Sequence, residues 1–277
     1  MKLGYYPGCS LHSTGREFDE SLHEVCKALD IELAELPDWN CCGASSGGIL
    51  SHEQSVGLSA RNLGIAAEMG LPVLVPCAAC YNRMKTAQVD LAEDKTLPAK
   101  LDVASDALDI PVVNMIELLD QPEVTEKLKA AMTDPLTGMK PAAYYGCLLL
   151  RPPSAVKFDD PEQPSSFERV LALLGAEPIE WYAKTECCGA SLSATRQDIV
   201  SHLVDDIVAR ARKAGATSLV TACPLCQMNL ETRQTGDARS RMPVFFITEL
   251  VGIALGIPGP KLGLSRHLVD VRSAMSV

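Results

Sequence analysis

Cysteine is the residue type that says most about the chemistry open to this chain, with 11 among 277 residues. Cys41-Cys42-Gly43-Ala44-Ser45 recurs as Cys187-Cys188-Gly189-Ala190-Ser191. A gap of 34 residues separates Cys42 from Cys77 and Cys80 in LVPCAAC, and the same gap separates Cys188 from Cys223 and Cys226 in LVTACPLC. Both stretches keep an offset of 146 residues. Upstream, Tyr6-Pro7-Gly8-Cys9 is echoed by Tyr144-Tyr145-Gly146-Cys147, with 31 residues from Cys9 to the first pair and 39 from Cys147 to the second. Downstream, VVNMIELLDQ (112–121) is echoed by VFFITELVGI (244–253). Ten cysteines fall into this pattern, five per half, and Cys26 alone is left over as a core residue within a helix.

Thiolates are soft ligands that select zinc, copper(I) or iron–sulfur clusters. A tetrahedral zinc and an ordinary cubane cluster each take four ligands, so five thiols are one too many for either. Adjacent side chains diverge, so a Cys-Cys pair serves best where metals lie on different sides, and Gly43 lets the backbone pass close to whatever is bound. Buried structural thiols, two zinc sites with spare thiols, disulfides and a metal–sulfur assembly are all readings of ten cysteines. A larger, more open metal–sulfur assembly accommodates five thiolates per half best.

Alternating strands and helices must position these thiols. Residues 2–8 suit a short buried strand, 14–29 a helix, 31–37 a strand, 53–69 a helix stopped by Gly70, and 71–77 a buried aliphatic strand, with a further helix starting at Cys-x-x-Cys. The second half repeats this with PAAYYGC, a helix near 166–175, PIEWY, a helix near 194–214, TSLVTAC and a last helix. Such alternation predicts an α/β fold: two pseudo-twofold-related repeats, each a small parallel sheet with flanking helices. All five cysteines of a half then lie at strand C-terminal ends or in the loops that follow, where open α/β sheets hold ligands. The second half has a longer insertion around RPPSAVKFDDPEQP, the first a longer one in 92–107, and 120–142 reads as the linker. The expected domains are 1–138 and 139–277.

Composition narrows the function classes. With 47% hydrophobic and 22% charged residues the chain can build a real core. Its net charge of −10 is the wrong sign for a general nucleic-acid or anionic-membrane binder. The longest apolar stretch, from Val244 to Pro260, is interrupted by Glu249, so no membrane span is expected. MKLGYYPGCS lacks the apolar core of a signal peptide, which points to the cytoplasm, where cysteine clusters are metal or redox sites.

At these residues the sequence resembles the B-type component of heterodisulfide reductase and, more broadly, the cysteine-rich CCG domain that family carries twice. The family pattern is a single Cys, a gap in the thirties, Cys-Cys-Gly, a second such gap, and Cys-x-x-Cys; both halves match it. Subunits of glycolate oxidase, lactate-utilisation enzymes and thiol:fumarate reductase share the domain. The resemblance implies two noncubane four-iron four-sulfur clusters. Cys9, Cys41, Cys42, Cys77 and Cys80 would hold one, and Cys147, Cys187, Cys188, Cys223 and Cys226 the other. It implies catalysis of a step of methanogenesis, two-electron reduction of the mixed disulfide of coenzyme M and coenzyme B. A cluster passes one electron at a time and a disulfide needs two, so paired clusters suit the reaction. The implied partners are a ferredoxin-like C-type subunit and a flavin-containing A-type subunit, since no flavin, nucleotide or cubane motif is recognisable in this chain. An alternative is a similar subunit of a bacterial sulfur-oxidation or flavin-based electron-transfer complex with another substrate. A third reading, from a different class, is a non-catalytic electron-relay or zinc module.

Other residues have weaker claims. Arg151, four residues after Cys147, is a candidate contact for an anionic substrate, with Arg16 its counterpart in the first half. Arg83 and Lys85 follow Cys80 and could line the same crevice, or stand on a helix surface. His52, ten residues beyond Cys42, is a candidate proton donor or a polar loop residue. Glu117 and Glu249 recur in both halves, which suggests a shared structural task such as charge at a helix N-terminus. No Ser/His/Asp constellation or phosphate-binding glycine loop is recognisable.

Overall fold

Short aliphatic runs ending in Pro or Gly make the strands, and amphipathic stretches between them make the helices. The computed structural model describes residues 1–44, 47, 51–103, 107, 109–237 and 240–275; Ser45, in the first Cys-Cys-Gly-Ala-Ser motif, lies outside them. In the first half β1 (Lys2–Tyr5), β2 (Glu32–Glu35), β3 (Val73–Leu74) and β4 (Val112–Val113) form a parallel sheet of order β2-β1-β3-β4. In the second, β5 (Pro141–Ala143), β6 (Ser218–Thr221) and β7 (Val244–Phe246) form a parallel sheet of order β5-β6-β7. Among the described residues the helices of five or more residues are α1 (Arg16–Ala28), α2 (His52–Met69), α3 (Ala78–Glu93), α4 (Met115–Leu119) and α5 (Pro122–Ala131), then α6 (Ser166–Leu173), α7 (Gln197–Lys213), α8 (Pro224–Thr232) and α9 (Ile247–Ala254). The α/β class and the two parallel repeats are as the alternation predicts.

Local signals account for the element ends. Ser51 caps α2, accepting from the Gln54 N–H at 3.4 Å, and Gly70 closes it with a left-handed φ of 63°. Glu117 and Glu249 share the helix-start task expected of them. Asn114 and Glu117 form a reciprocal capping box at α4, and the Glu249 carboxylate accepts from the Phe246 N–H at 2.8 Å at α9. Cys26 is buried in α1.

The stretch 120–142, read as the linker, contains α5, held by the buried Val124 and Leu128, and its Pro141 opens β5. One expectation needs correction. PIEWY does not become the counterpart of β2. Ile179 donates to the Pro141 carbonyl at 2.9 Å, but the Trp181 indole N–H takes the Ala143 carbonyl at 2.9 Å. Glu177 donates likewise to the Met139 carbonyl at 2.8 Å, so with the Ala143 acceptor used by a side chain the ladder stops after two bonds.

The repeats interlock reciprocally. Helix α1 of the first half lies on α9 of the second, and α6 of the second lies on α4 of the first. By position, α1 matches α6 and α4 matches α9, so the two contacts exchange under a twofold. Phe18 stacks on Phe246 at 4.4 Å and 6°, and the hydroxyls of Ser21 and Thr248 meet at 2.6 Å. Phe18→Ala removes a fully buried ring from this interface and is expected to cost about 3–5 kcal/mol in denaturant unfolding. Unchanged stability would show that the halves are not held together there.

Candidate metal centre

Parallel strands deliver their C-terminal ends to one edge, and the cysteines gather there. Cys9 and Cys147 follow β1 and β5 directly, while Cys77 and Cys223 end the β3 and β6 segments and stand at the N-caps of α3 and α8. Two devices set the loops, and each occurs in both halves. Tyr6 and Tyr144 are buried rings whose hydroxyls donate to the Asn40 and Glu186 carbonyls at 2.8 and 2.6 Å, pinning the residue just before each Cys-Cys pair. Gly8 and Gly146 have φ of 67° and 66°, and a Cβ there would stand 3.1 Å from Cys80 Sγ or 3.3 Å from Cys226 Sγ. Both positions need glycine for conformation and for space.

The thiols gather within each half in matching ways. Cys42 Sγ lies 3.2 Å from Cys80 Sγ, and Cys188 Sγ 3.6 Å from Cys226 Sγ. Cys9 and Cys41 meet at 3.7 Å, and in the second half Cys147 lies near Cys187, whose sulfur acts on it. The N–H groups of Gly43 and Gly189 point at the sulfurs of Cys41 and Cys187, at 3.5 and 3.3 Å. One thiol pair spans the halves: Cys77 and Cys223, both buried, lie close enough to act on each other's charge. The structure therefore brings all ten pattern cysteines to one region. In each half the second cysteine of the pair and both members of the Cys-x-x-Cys are buried, while Cys9, Cys41 and Cys187 reach the surface.

This donor set suits a thiophilic cation. Cys80 and Cys226 are held well above the ordinary thiol range, first by hydrogen bonds to Cys42 and Cys188, then to Cys77 and Cys223, and then by burial. So many enclosed sulfurs cannot all be thiolates without positive charge among them. Among the described residues no group of three or more Cys, His, Asp or Glu is arranged to hold a single metal ion. The thiols meet in pairs rather than about one point, which suits a group wider than a lone tetrahedral ion.

A cavity of about 250 Å³ opens between the halves beside these thiols. Cys147, Cys187, Cys188, Cys223 and Cys226 line it, with Ala44, Ala78 and Ala79 facing them and Arg83 as the one charged residue among the described lining residues. A larger cleft of about 860 Å³ lies around Met1, Lys2 and Glu32, at the N-terminal ends of β1 and β2, the end of a parallel sheet that does not hold ligands.

The remaining candidates fall in different places. Arg83 reaches the cavity, with Nη2 and Nε donating to the Ala44 carbonyl at 2.9 and 3.3 Å. Arg151 is turned to the insertion that follows it, donating to Glu162 at 2.9 Å and to the Pro161 carbonyl at 3.2 Å, and does not line the cavity. His52 is the exposed first residue of α2, 3.7 Å from Asp90, in a separate surface cleft. Arg16 is exposed at the start of α1, and Lys85 lies near Glu117.

Sequence reasoning missed Asn82, Asn229 and His267. Asn82 bridges the halves from α3, donating to the Leu148 and Arg151 carbonyls at 2.9 and 2.6 Å. Asn229 donates to the Cys188 carbonyl at 3.2 Å, and the 146-residue offset from Arg83 was its only signal.

His267 sits between two buried carboxylates, 3.1 Å from Glu231 and 2.7 Å from Glu249, with Gln227 at 3.3 Å and Glu17 facing the group from α1. Burial opposes its charge, but the hydrogen bonds and charges of Glu231 and Glu249 outweigh this and push it up to about 10. A raised folded-state value contributes stability that is complete below the ordinary histidine range and lost as pH rises through about 10. The melting temperature is therefore expected to fall across that window, and the fall to be shallower in His267→Gln. Comparing the two anaerobic pH series isolates the imidazole from thiols that titrate alongside it. Parallel curves would refute the assignment.

Among the described residues no helix is long and apolar enough to cross a membrane. The model of the cysteine-rich CCG domain matches residues 3–85 and 141–231. The chain is 32% identical over 279 residues to the 8-methylmenaquinol:fumarate reductase membrane anchor subunit of Wolinella succinogenes, covering 97% of each chain. It is 26% identical over 288 residues to the B subunit of the ferredoxin:CoB-CoM heterodisulfide reductase of Methanosarcina mazei, covering 97% of this chain and 94% of that one. A solved structure, described as a hypothetical protein from Helicobacter pylori, matches the fold with a TM-score of 0.77 at 14% identity, over 98% of this chain and 52% of the other. Two domain matches, two parallel sheets and two corresponding sets of five thiols agree: this chain belongs to the cysteine-rich CCG domain family and carries the domain twice.

Proposed function

We propose that this chain is the disulfide-reducing subunit of a heterodisulfide-reductase-type complex, an oxidoreductase in which two noncubane four-iron four-sulfur clusters are held by the two sets of five cysteines. The observation that carries the reading is the Cys77–Cys223 contact across the halves, beside a cavity that both halves line. On this reading the two metal–sulfur sites would be neighbours over one shared space. Bound there, the clusters would supply electrons one at a time and an open iron able to act as a Lewis acid. The overall change balances as R–S–S–R′ plus two electrons and two protons giving R–SH and R′–SH.

The chain's own residues define what enters. Ala44, Ala78, Ala79, Leu148 and Leu225 give the cavity an apolar wall that suits a disulfide and excludes water. Tyr145 reaches the cavity but its hydroxyl is committed, donating to Glu168 at 2.5 Å and accepting from the Phe167 N–H at 2.8 Å. Arg83 offers a positive charge for an anionic substrate group. We assign the electron supply to a ferredoxin-like C-type subunit and a flavin-containing A-type subunit, in keeping with relatives that are themselves subunits. A cytoplasmic complex, divided on this chain near residue 138, completes the reading; eleven unpaired cysteines suit a reducing compartment.

A reduced dye and a small mixed disulfide test it. Anaerobic, iron-replete protein is expected to release two thiols per disulfide, faster than iron-free protein. Iron-replete protein that releases none would overturn catalysis. It would favour a second reading, an electron-transfer subunit of a fumarate-reductase-type complex, which the 32% identity to the Wolinella succinogenes subunit supports.

A further inference from the structure

Arg83 and Asn229 hold the same place in the two repeats. Each lies three residues after the second cysteine of its Cys-x-x-Cys, at the 146-residue offset. Each ties that helix to the Cys-Cys-Gly loop of its own half. Arg83 donates to the Ala44 carbonyl at 2.9 Å, two residues past Cys42. Asn229 donates to the Cys188 carbonyl at 3.2 Å, its amide also lying 3.8 Å from Cys188 Sγ, and its own carbonyl accepts from Ser193 Oγ at 2.7 Å. The mechanical task is shared but the charge is not. A guanidinium stays charged in proteins, whereas an amide is a neutral dipole.

Adding an electron to an iron–sulfur group adds negative charge, so a fixed cation beside its ligand loop favours the reduced form. Net charge and hydrogen bonds to sulfur are the levers by which proteins set such potentials. The Asn229 amide pulls in the same direction, but charge-assisted interactions are roughly twice as strong as neutral ones.

We propose that Arg83 is a positioning residue that gives the first half's metal–sulfur site a higher reduction potential than the second half's, so that the first electron to enter the chain settles in the first half. This rests on the two-cluster reading above. The second half's cysteines, which line the cavity together, then form the lower-potential and more reducing face toward whatever occupies it.

Potentiometric titration of the iron-loaded chain, followed by electron paramagnetic resonance, tests this without turnover. The waves are assigned with Cys42→Ala and Cys188→Ala proteins, each keeping the iron of one half. Two waves are expected, the higher from the first half. Arg83→Gln should shift the higher wave negative and narrow the gap, Arg83→Lys should restore part of it, and Asn229→Arg should raise the lower wave. A loop-bracing role alone would move none of these potentials at full iron content. If Arg83→Gln does not hold iron, Asn229→Arg still decides. Coincident waves in the parent, or a gap unmoved by both charge changes, would overturn the proposal and leave the two-cluster reading standing. Parent protein loaded with zinc in place of iron would overturn both.

Discussion

Cys42→Ala and Cys188→Ala are each expected to abolish disulfide turnover, and the double variant is expected to be no worse than either. Each cysteine is the second of its pair, buried, and against the last cysteine of its Cys-x-x-Cys, at 3.2 Å for Cys42 and 3.6 Å for Cys188. Losing either removes a sulfur from the interior of its own set, where no other side chain can replace it. Disturbing even an outer partner of a metal ligand commonly costs about 10–100-fold, so losing a ligand should cost at least about 100-fold. If the halves supply one electron each to one bond, each loss alone halts the reaction. The effects then fail to add, as they do for groups that act as a unit. The rate with a dye donor would be measured after confirming that the untouched half keeps its iron. Near-normal turnover in either single variant would rule out joint action, leaving one half as the reactive site and the other as a relay.

Metal content should show an equally large effect. Anaerobically purified chain is expected to carry about eight iron and eight acid-labile sulfide, two four-iron groups per molecule. Ligand thiolates form with release of protons, and binding to the folded chain alone stabilises it. Removing iron with a chelator under reducing conditions should therefore lower the melting temperature and free the pattern thiols, with Cys9, Cys41 and Cys187, the exposed ones, alkylated first. Protein rich in zinc, with neither iron nor sulfide, would refute the cluster reading. So would a chain whose stability ignores the chelator.

Much of this molecule was legible in the order of residues alone. The 146-residue offset, the echo of Tyr-Pro-Gly-Cys in Tyr-Tyr-Gly-Cys and the shared gap of 34 reveal the duplication. Periodicity and punctuation by Gly and Pro locate α2, α3, α7 and most strands to within a few residues, because those signals act within one turn or one strand. The same local logic explains why Glu117 and Glu249 were readable as helix-start residues.

Tertiary structure decided everything that depends on where distant side chains point. PIEWY has the composition of a strand, and only the long reach of the Trp181 indole to Ala143 removes it from the sheet. Arg151 and His52 stand close in sequence to cysteines, yet one is drawn to Glu162 and the other to Asp90, away from the cavity. His267 comes from beyond the second repeat and is joined to Glu231 and Glu249 only by the docking of the C-terminal segment. The exchange of α1 onto α9 and α6 onto α4 brings the N-terminal ends of the two Cys-x-x-Cys helices together, so Cys77 meets Cys223 across 146 residues of chain. Spacing specifies which residues a strand or helix presents at its end. The packing of one half on the other, driven by buried faces such as those of Phe18 and Phe246, specifies which ends meet.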